Sequence, residues 1–192
     1  MQKIDTIKLS YLLIRQYLLF GFKQFYNKIV IVGKENLPSD DSAIIFAPNH
    51  LNALMDALAI LHILPVNKAI VFIAKADLFN SKFTTSVLNF AKILPAYRKV
   101  DGIENLNKNG DTFDACVDVL KRGEAIGIMP EGGQGEKHQI RPLVKGIFRI
   151  AFEAQKQLGN SKNVKIVPIG LDLGNLRKSS THLIINIGKP IV

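Results

Sequence analysis

The chain has 192 residues, of which 47% are hydrophobic, enough for one domain with a substantial core and too many for a disordered chain. Its net charge is +9, which points to an anionic partner: nucleic acid, a phosphorylated substrate, a coenzyme or an acidic membrane surface. The single cysteine, Cys116, excludes an intrachain disulfide, and leaves the cytoplasm as the default compartment.

Residues 4–26 read as one amphipathic helix. Ile7, Leu9, Leu13, Ile14, Tyr17, Leu18, Phe20 and Phe25 spread over a wide apolar face, while Lys8, Arg15, Gln16 and Lys23 gather on the remaining side. Two readings stand: a helix lying in a membrane interface, or one packed on its own domain with a lysine-bearing outer face. It is not a spanning segment, because Arg15, Gln16, Lys23 and Gln24 interrupt it and a span needs about 20 apolar residues. No small-residue cleavage pattern follows it, so no secretory signal is expected.

Residues 28–33 read as a short strand and 35–41 as a turn. The apolar run 43–47 is a buried strand that delivers Asn49-His50-Leu51-Asn52-Ala53-Leu54-Met55-Asp56, and residues 57–61 continue as a helix. A histidine can take a proton near neutral pH, and a carboxylate on its other ring nitrogen fixes the tautomer and stabilises the charged form. Residues six apart on one helix do not share a face. His50 and Asp56 therefore meet only if His50 lies in the loop and folds back over the first turns, with Asn52 as N-cap. The bland alternative is a turn built by Asn49 and Asn52, a loop histidine and a solvated aspartate.

Further strands are expected at 68–74, 93–98, 125–129, 164–169 and 182–187, and helices at 82–91, 111–121 and 145–158. Asp111 is the expected cap of the second of these helices. In the last, Ile147, Phe148, Ile150, Ala151 and Ala154 are expected to turn inward. Alternating strands and helices imply an α/β fold with a mixed, mainly parallel sheet flanked by helices, preceded by the N-terminal amphipathic helix. The expected organisation is that helix over residues 1–28 and a single domain over 29–192. The chain stops directly after its last strand, an ending consistent with truncation at the C-terminus.

Several chemistries are excluded. Gly135 is followed by Glu136 rather than by Lys and Ser or Thr, so there is no P-loop. No Gly-x-Ser-x-Gly elbow supplies a serine nucleophile. His50, His62, His138 and His182 are scattered without a His-Glu-x-x-His or a cysteine cluster, so no metal is expected. His62 reads as a packing residue, and Cys116 as a small core residue. What remains is a set of loops at strand ends, where ligand crevices form in open α/β sheets. They carry His50 and Asp56; Tyr97, Arg98 and Lys99; and Glu131, Gly132 and Gly133. Arg98 offers a planar fork for phosphate. The glycines let backbone N–H groups approach an anion.

Taken in order, the Asn49–Asp56 string, the loop Pro95-Ala96-Tyr97-Arg98-Lys99-Val100-Asp101-Gly102, the turn Met129-Pro130-Glu131-Gly132-Gly133, the helix start Lys145-Gly146 and Val167-Pro168-Ile169 resemble the sequence blocks of the glycerolipid acyltransferase family. That family includes glycerol-3-phosphate and lysophosphatidic acid acyltransferases, and the resemblance runs from about residue 29 to the end. It implies that an acyl group passes from acyl-CoA or acyl carrier protein to a glycerol hydroxyl in phospholipid biosynthesis, with no further cofactor. It also implies that His50 is the general base, that Asp56 orients it, and that Arg98 holds the acceptor phosphate. Asn49, Glu131, Gly132, Gly133 and Lys145 complete the acceptor site. The expected setting is the cytoplasmic face of a membrane, reached through the N-terminal helix, and nucleic acid is not an expected partner. Two departures stand out. Most members have one residue fewer between the histidine and the aspartate. The usual Phe-Pro-Glu-Gly-Thr-Arg is here Met129-Pro130-Glu131-Gly132-Gly133-Gln134, leaving Arg141 or Lys137 to replace the missing arginine, or a different acceptor. An aminolipid acceptor and a non-catalytic binder of anionic lipid are the alternatives.

Overall fold

A computed structural model describes residues 3–97, 109–134, 139–175 and 178–192. In chain order the elements are α1 (Leu9–Phe25), β1 (Tyr26–Val32), β2 (Ala43–Pro48), α2 (Ala53–Ile63), β3 (Ile70–Lys75), α3 (Lys82–Phe90), β4 (Ile93–Ala96), α4 (Asn109–Lys121), β5 (Ala125–Gly127), α5 (Gly146–Leu158), β6 (Val164–Asp172) and β7 (Thr181–Ile187). The strands form one sheet in the order β1-β7-β6-β2-β5-β3-β4. Every neighbouring pair is parallel except β6 and β7. The expected mixed, mainly parallel sheet is therefore present.

Side chains alternate across a strand, and the alternation builds two cores. On β2 and β3, Phe46 and Ile70 join one cluster with Leu19, Phe22, Leu58 and Ile60 of α1 and α2. Their neighbours Ile45 and Val71 join the other, with Cys116, Val117, Leu120, Ile147 and Ile150 of α4 and α5. The sheet thus lies between two helical layers. Buried on both faces, its central strands read in the sequence as continuous apolar runs.

The N-terminal segment departs from expectation in two ways. The helix begins at Leu9 rather than residue 4, because the residues before it are strapped to the domain. Asp5 receives hydrogen bonds from Arg122 Nε (2.6 Å) and Nη2 (3.1 Å). The buried ammonium of Lys92 donates to the carbonyls of Ile4 and Thr6. Arg15, expected on the polar strip, is only 2% exposed. Its guanidinium donates to the carbonyls of Leu61, Leu64, Pro65, Val66 and Lys68, at the C-terminal end of α2 and just beyond. A helix end leaves carbonyls without intrahelical donors and carries partial negative charge, and a guanidinium supplies both remedies. The inner face of α1 is therefore Tyr11, Arg15, Leu19 and Phe22. Much of the predicted apolar face, including Leu9, Leu13, Tyr17 and Phe20, points outward.

Smaller differences follow from packing. The helix α4 starts at Asn109, not at an Asp111 cap. The Asn109 side chain bonds both the N–H and the carbonyl of Tyr97. Phe148 of α5, expected inside, is exposed, because Ile147, Ile150, Ala151 and Ala154 already fill the buried stripe. His62 packs against the Phe22 ring, with centroids 5.8 Å apart, and burial pulls its pKa down.

Candidate active site

The site is built at the carboxyl end of β2. Asn49 closes that strand onto β6: its Oδ1 accepts from the Leu171 N–H (2.6 Å) and its Nδ2 donates to the Leu171 carbonyl (3.0 Å). The amide thereby copies a strand pairing one residue past Pro48. Leucine 51 is buried beneath the loop as an apolar plug, Leu51 being part of the α1/α2-side core. The helix α2 then starts, with Asn52 at its N-cap position in extended backbone.

Asp56, one turn into α2, is completely buried. Its Oδ2 lies 2.9 Å from His50 Nδ1 and accepts from the N–H groups of Leu51 and Asn52, each also at 2.9 Å. The carboxylate thus satisfies the N–H of the N-cap residue and that of the loop residue before it, and the positive end of the helix dipole also favours it. A carboxylate only accepts, so His50 Nδ1 carries the hydrogen and the lone pair sits on Nε2. His50 folds back over the first turns of α2, the geometry the sequence required, with Leu51 and Asn52 between it and the helix start. The His50 side chain is 16% exposed, so the imidazole faces outward with the carboxylate behind it. Among the described residues nothing bonds Nε2, and Asp56 Oδ1 has no partner. Burial, and next the Asp56 carboxylate, push the pKa of the neighbouring Tyr26 phenol up to about 12.

Glu131 reaches the same loop from the end of β5. It is 6% exposed. Its Oε1 accepts from the His50 N–H (3.1 Å), and its Oε2 from the Arg141 N–H (3.2 Å). Gln134 Nε2 donates to the Leu51 carbonyl (3.1 Å), and Arg141 Nη1 donates to the Gln134 carbonyl (3.0 Å). Three loops are laced together in this way. Gly132 sits at φ +65°, where an added Cβ would come within 3.0 Å of Val144 Cγ1, so glycine is required by conformation and by space. A Cβ at Gly133 would lie 3.2 Å from Arg141 Nη1. The absence of a side chain there lets the guanidinium lie against the turn.

Lys145 occupies the N-cap position of α5 and is exposed. Arg98, Lys99, Lys137 and His138 lie outside the described residues. The strand before Arg98 is informative nonetheless. β4 runs parallel to β3, β5 and β2, so Tyr97 emerges at the same sheet edge as His50. With β5 and β3 between them, β4 and β2 are three strand spacings apart, about 14 Å. Gln134 was not foreseen as part of the site, because its contact is to a main-chain oxygen and leaves no pattern in the sequence. No group of histidine, cysteine and carboxylate residues suited to a metal occurs among the described residues.

A family model described as Acyltransferase matches residues 28–172. The chloroplastic 1-acyl-sn-glycerol-3-phosphate acyltransferase LPAT1 of Arabidopsis thaliana is 27% identical over 165 residues, covering 85% of this chain and 41% of that protein. The 1-acyl-sn-glycerol-3-phosphate acyltransferase of Bacillus subtilis is 29% identical over 166 residues, covering 85% of this chain and 73% of that protein. Glycerol-3-phosphate O-acyltransferase 2 of Saccharomyces cerevisiae is 28% identical over 115 residues, covering 60% of this chain and 15% of that protein. The chain thus spans about two fifths of the length of the Arabidopsis relative. Among solved structures, that of the 1-acyl-sn-glycerophosphate acyltransferase PlsC from Thermotoga maritima superposes with a TM-score of 0.58 over 92% of this chain and 70% of that one. At 19% identity the likeness is one of fold.

Proposed function

The chain belongs to the acyltransferase family, and we propose that it transfers a fatty acyl group from a thioester donor to a hydroxyl of a glycerol phosphate acceptor. The donor is acyl-CoA or an acylated carrier protein; the acceptor is lysophosphatidic acid or glycerol 3-phosphate. The observation that carries this reading is the 2.9 Å contact between His50 Nδ1 and the buried Asp56 carboxylate, which leaves Nε2 as the free base.

His50 Nε2 takes the proton of the acceptor hydroxyl as its oxygen attacks the thioester carbonyl. The C–O bond forms, the C–S bond breaks, and the imidazolium returns its proton to the departing thiolate sulfur. Asp56 holds the ring and stabilises the cation while it exists. A placed base contributes about 10²–10⁴-fold, and orientation of the two substrates supplies much of the rest. Asn49 and Glu131 serve by holding the loop, since their side-chain atoms are engaged by Leu171 and by the N–H groups of His50 and Arg141. The acceptor phosphate falls to Arg98, as the family resemblance implies, and to Arg141 and Lys145. Arg141 stands in for the arginine missing at Gln134. Its guanidinium spends one N–H on the Gln134 carbonyl, and the other donors of its fork suit a phosphate.

We place the protein peripherally on the cytoplasmic face of a membrane. Among the described residues no helix is long and apolar enough to cross one, while the outward face of α1 is apolar and suits a bilayer interface. Turnover is tested with lysophosphatidic acid or glycerol 3-phosphate and a long-chain acyl-CoA, following free thiol. His50→Ala and Asp56→Ala are expected to lose release of CoA by 10²-fold or more, on the order of a misplaced base. Equal release by these variants and the unmodified chain refutes the assignment. The net charge of +9 supports a second reading, a non-catalytic binder of anionic lipid. Vesicle binding without thiol release for any acceptor, aminolipids included, favours it.

A further inference from the structure

The helix α3 is amphipathic with its apolar side turned out. Phe83 (77% exposed), Val87 (48%) and Phe90 (37%) recur at i, i+4 and i+7, and no residue of the helix is buried. Thr85, Ser86 and Asn89 border an open depression along the polar side. The helix is nevertheless well specified. Ser81 Oγ accepts from the Thr84 N–H and Thr84 Oγ1 accepts from the Ser81 N–H, each at 3.1 Å, a reciprocal cap. A soluble chain that caps a nine-residue helix and leaves its phenylalanines in water incurs a standing cost, since burying each such side chain is favourable by about 1.5–3 kcal/mol.

The neighbourhood shows what the face adjoins. Phe90 meets Tyr11 of α1 edge to face, with ring centroids 6.1 Å apart. Lys92, directly after α3, has its ammonium 4.6 Å from the centre of the Tyr11 ring and ties down the carbonyls of Ile4 and Thr6. The start of α1 and the end of α3 are thereby fixed to each other. The α1 helix, held to α3 in this way, also has exposed apolar residues, among them Leu13 (63% exposed) and Tyr17 (76%). Neither helix contains a carboxylate, and Lys8, Lys23 and Lys82 lie in or beside them. Exposed aromatic and aliphatic side chains on helices that carry cations and no carboxylate match a bilayer bearing anionic lipid.

We propose that α3 is a second membrane-inserting helix, which together with α1 forms one docking surface for a bilayer containing anionic lipid. This rests on the membrane association read for α1 above and adds a partner surface to it. Topology gives the arrangement a purpose. β3 runs parallel to β2 and β5, so the chain leaving β3 enters α3 at the sheet edge where the His50 loop lies. Phe83, in the first turn, is the residue of the stripe nearest that edge. Docking through α3 brings the lipid surface to the side of the molecule from which a membrane-embedded acceptor reaches His50.

The chain contains no tryptophan, so a single introduced indole reports its own surroundings. Phe83→Trp (α3), Phe20→Trp (α1) and Phe152→Trp (α5, in the opposite helical layer) are each mixed with phosphatidylcholine–phosphatidylglycerol vesicles carrying brominated acyl chains. Melting temperatures verify that each variant is folded. Blue-shifted, bromine-quenched emission is expected from Phe83→Trp and Phe20→Trp, and unchanged emission from Phe152→Trp. Quenching of Phe20→Trp alone overturns the role of α3 and leaves that of α1 standing. Quenching of neither overturns membrane association itself, and with it this proposal. Equal quenching of all three shows undirected adsorption and overturns it as well. In otherwise unmodified chain, Phe83→Ser combined with Val87→Ser is expected to lower vesicle partition about tenfold or more. If the double variant instead abolishes a dimer formed without vesicles, and partition is unchanged, the face belongs to a second copy of the chain.

Discussion

Replacing Asp56 by asparagine separates its two duties. One oxygen, Oδ2, serves His50 Nδ1 and the N–H groups of Leu51 and Asn52. In Asp56→Asn the amide oxygen takes that place and keeps the two backbone contacts, so the loop survives. The amide NH₂ falls where Oδ1 sits buried without a described partner. An unsatisfied donor costs about 1–3 kcal/mol, offset in part because a buried charge no longer has to be desolvated. The expected net loss of stability is within about 2 kcal/mol, or roughly 4–8 °C in Tm for a domain of this size. Turnover changes more. The imidazolium formed during transfer loses its counter-charge, and two unit charges about 4 Å apart interact by about 4 kcal/mol at an effective dielectric of 20. With part of that recovered by the amide dipole, kcat should fall about 10²–10³-fold, 1.4 kcal/mol being tenfold, with KM for the acceptor nearly unchanged. Thiol release under saturating substrates, run beside a thermal melt, checks both. A variant that keeps kcat within threefold refutes the orienting role. A variant that unfolds at ordinary temperature makes Asp56 a structural residue first.

Arg15→Met keeps the bulk of the side chain but strips five carbonyls around the end of α2 of their donor. Leaving buried carbonyls without their donor costs about 1–3 kcal/mol, so Tm should drop by roughly 2–12 °C by calorimetry; a drop under about 2 °C contradicts the clasp. Gly132→Ala introduces a Cβ at φ +65° within 3.0 Å of Val144 and should destabilise by about 1–3 kcal/mol while lowering turnover, a coupling that Gly132→Ala with Val144→Ala relieves only in part. Cys116 is buried, and burial pushes its thiol up to about 12, so it should not react with a thiol reagent in the native protein at pH 8. The unfolded thiol ionises first, near 8.5, so stability should fall as pH rises between about 8.5 and 12. Cys116→Ala should remove that part of the alkaline loss in a melt-versus-pH series.

The elements on which the site depends were legible because each carries its own local signal. The apolar run of β2 followed by Asn52 and the apolar residues of α2 marks a strand, a loop and a helix start without any tertiary knowledge. The need for His50 to fold back over α2 followed from helix geometry alone. Arg15 was misread for the opposite reason. On a helix with aromatic and aliphatic residues nearly all round, the side that packs is chosen by the partner, and that partner, the carbonyl-rich end of α2, lies about 50 residues later in sequence, as with Val66. Glu131 was expected in the acceptor pocket; in the structure its partners are N–H groups, which every residue owns, so its use as a tie between loops was not written in the side chains. The acyltransferase family was found from the order of the blocks, and the family comparison agrees.

In the proposed membrane-docked protein, the clasp at Arg15 ties depth to the position of the chemistry. The guanidinium grips one end of α2, and Asp56 sits near the other. A helix of 11 residues is a strut about 16 Å long. If α1 rides in the headgroup layer, that strut carries the imidazole at a set height above it. Sinking or tilting the outer helix moves His50 by the same lever, so the reach to a substrate's hydroxyl is gauged from the lipid surface rather than from bulk water.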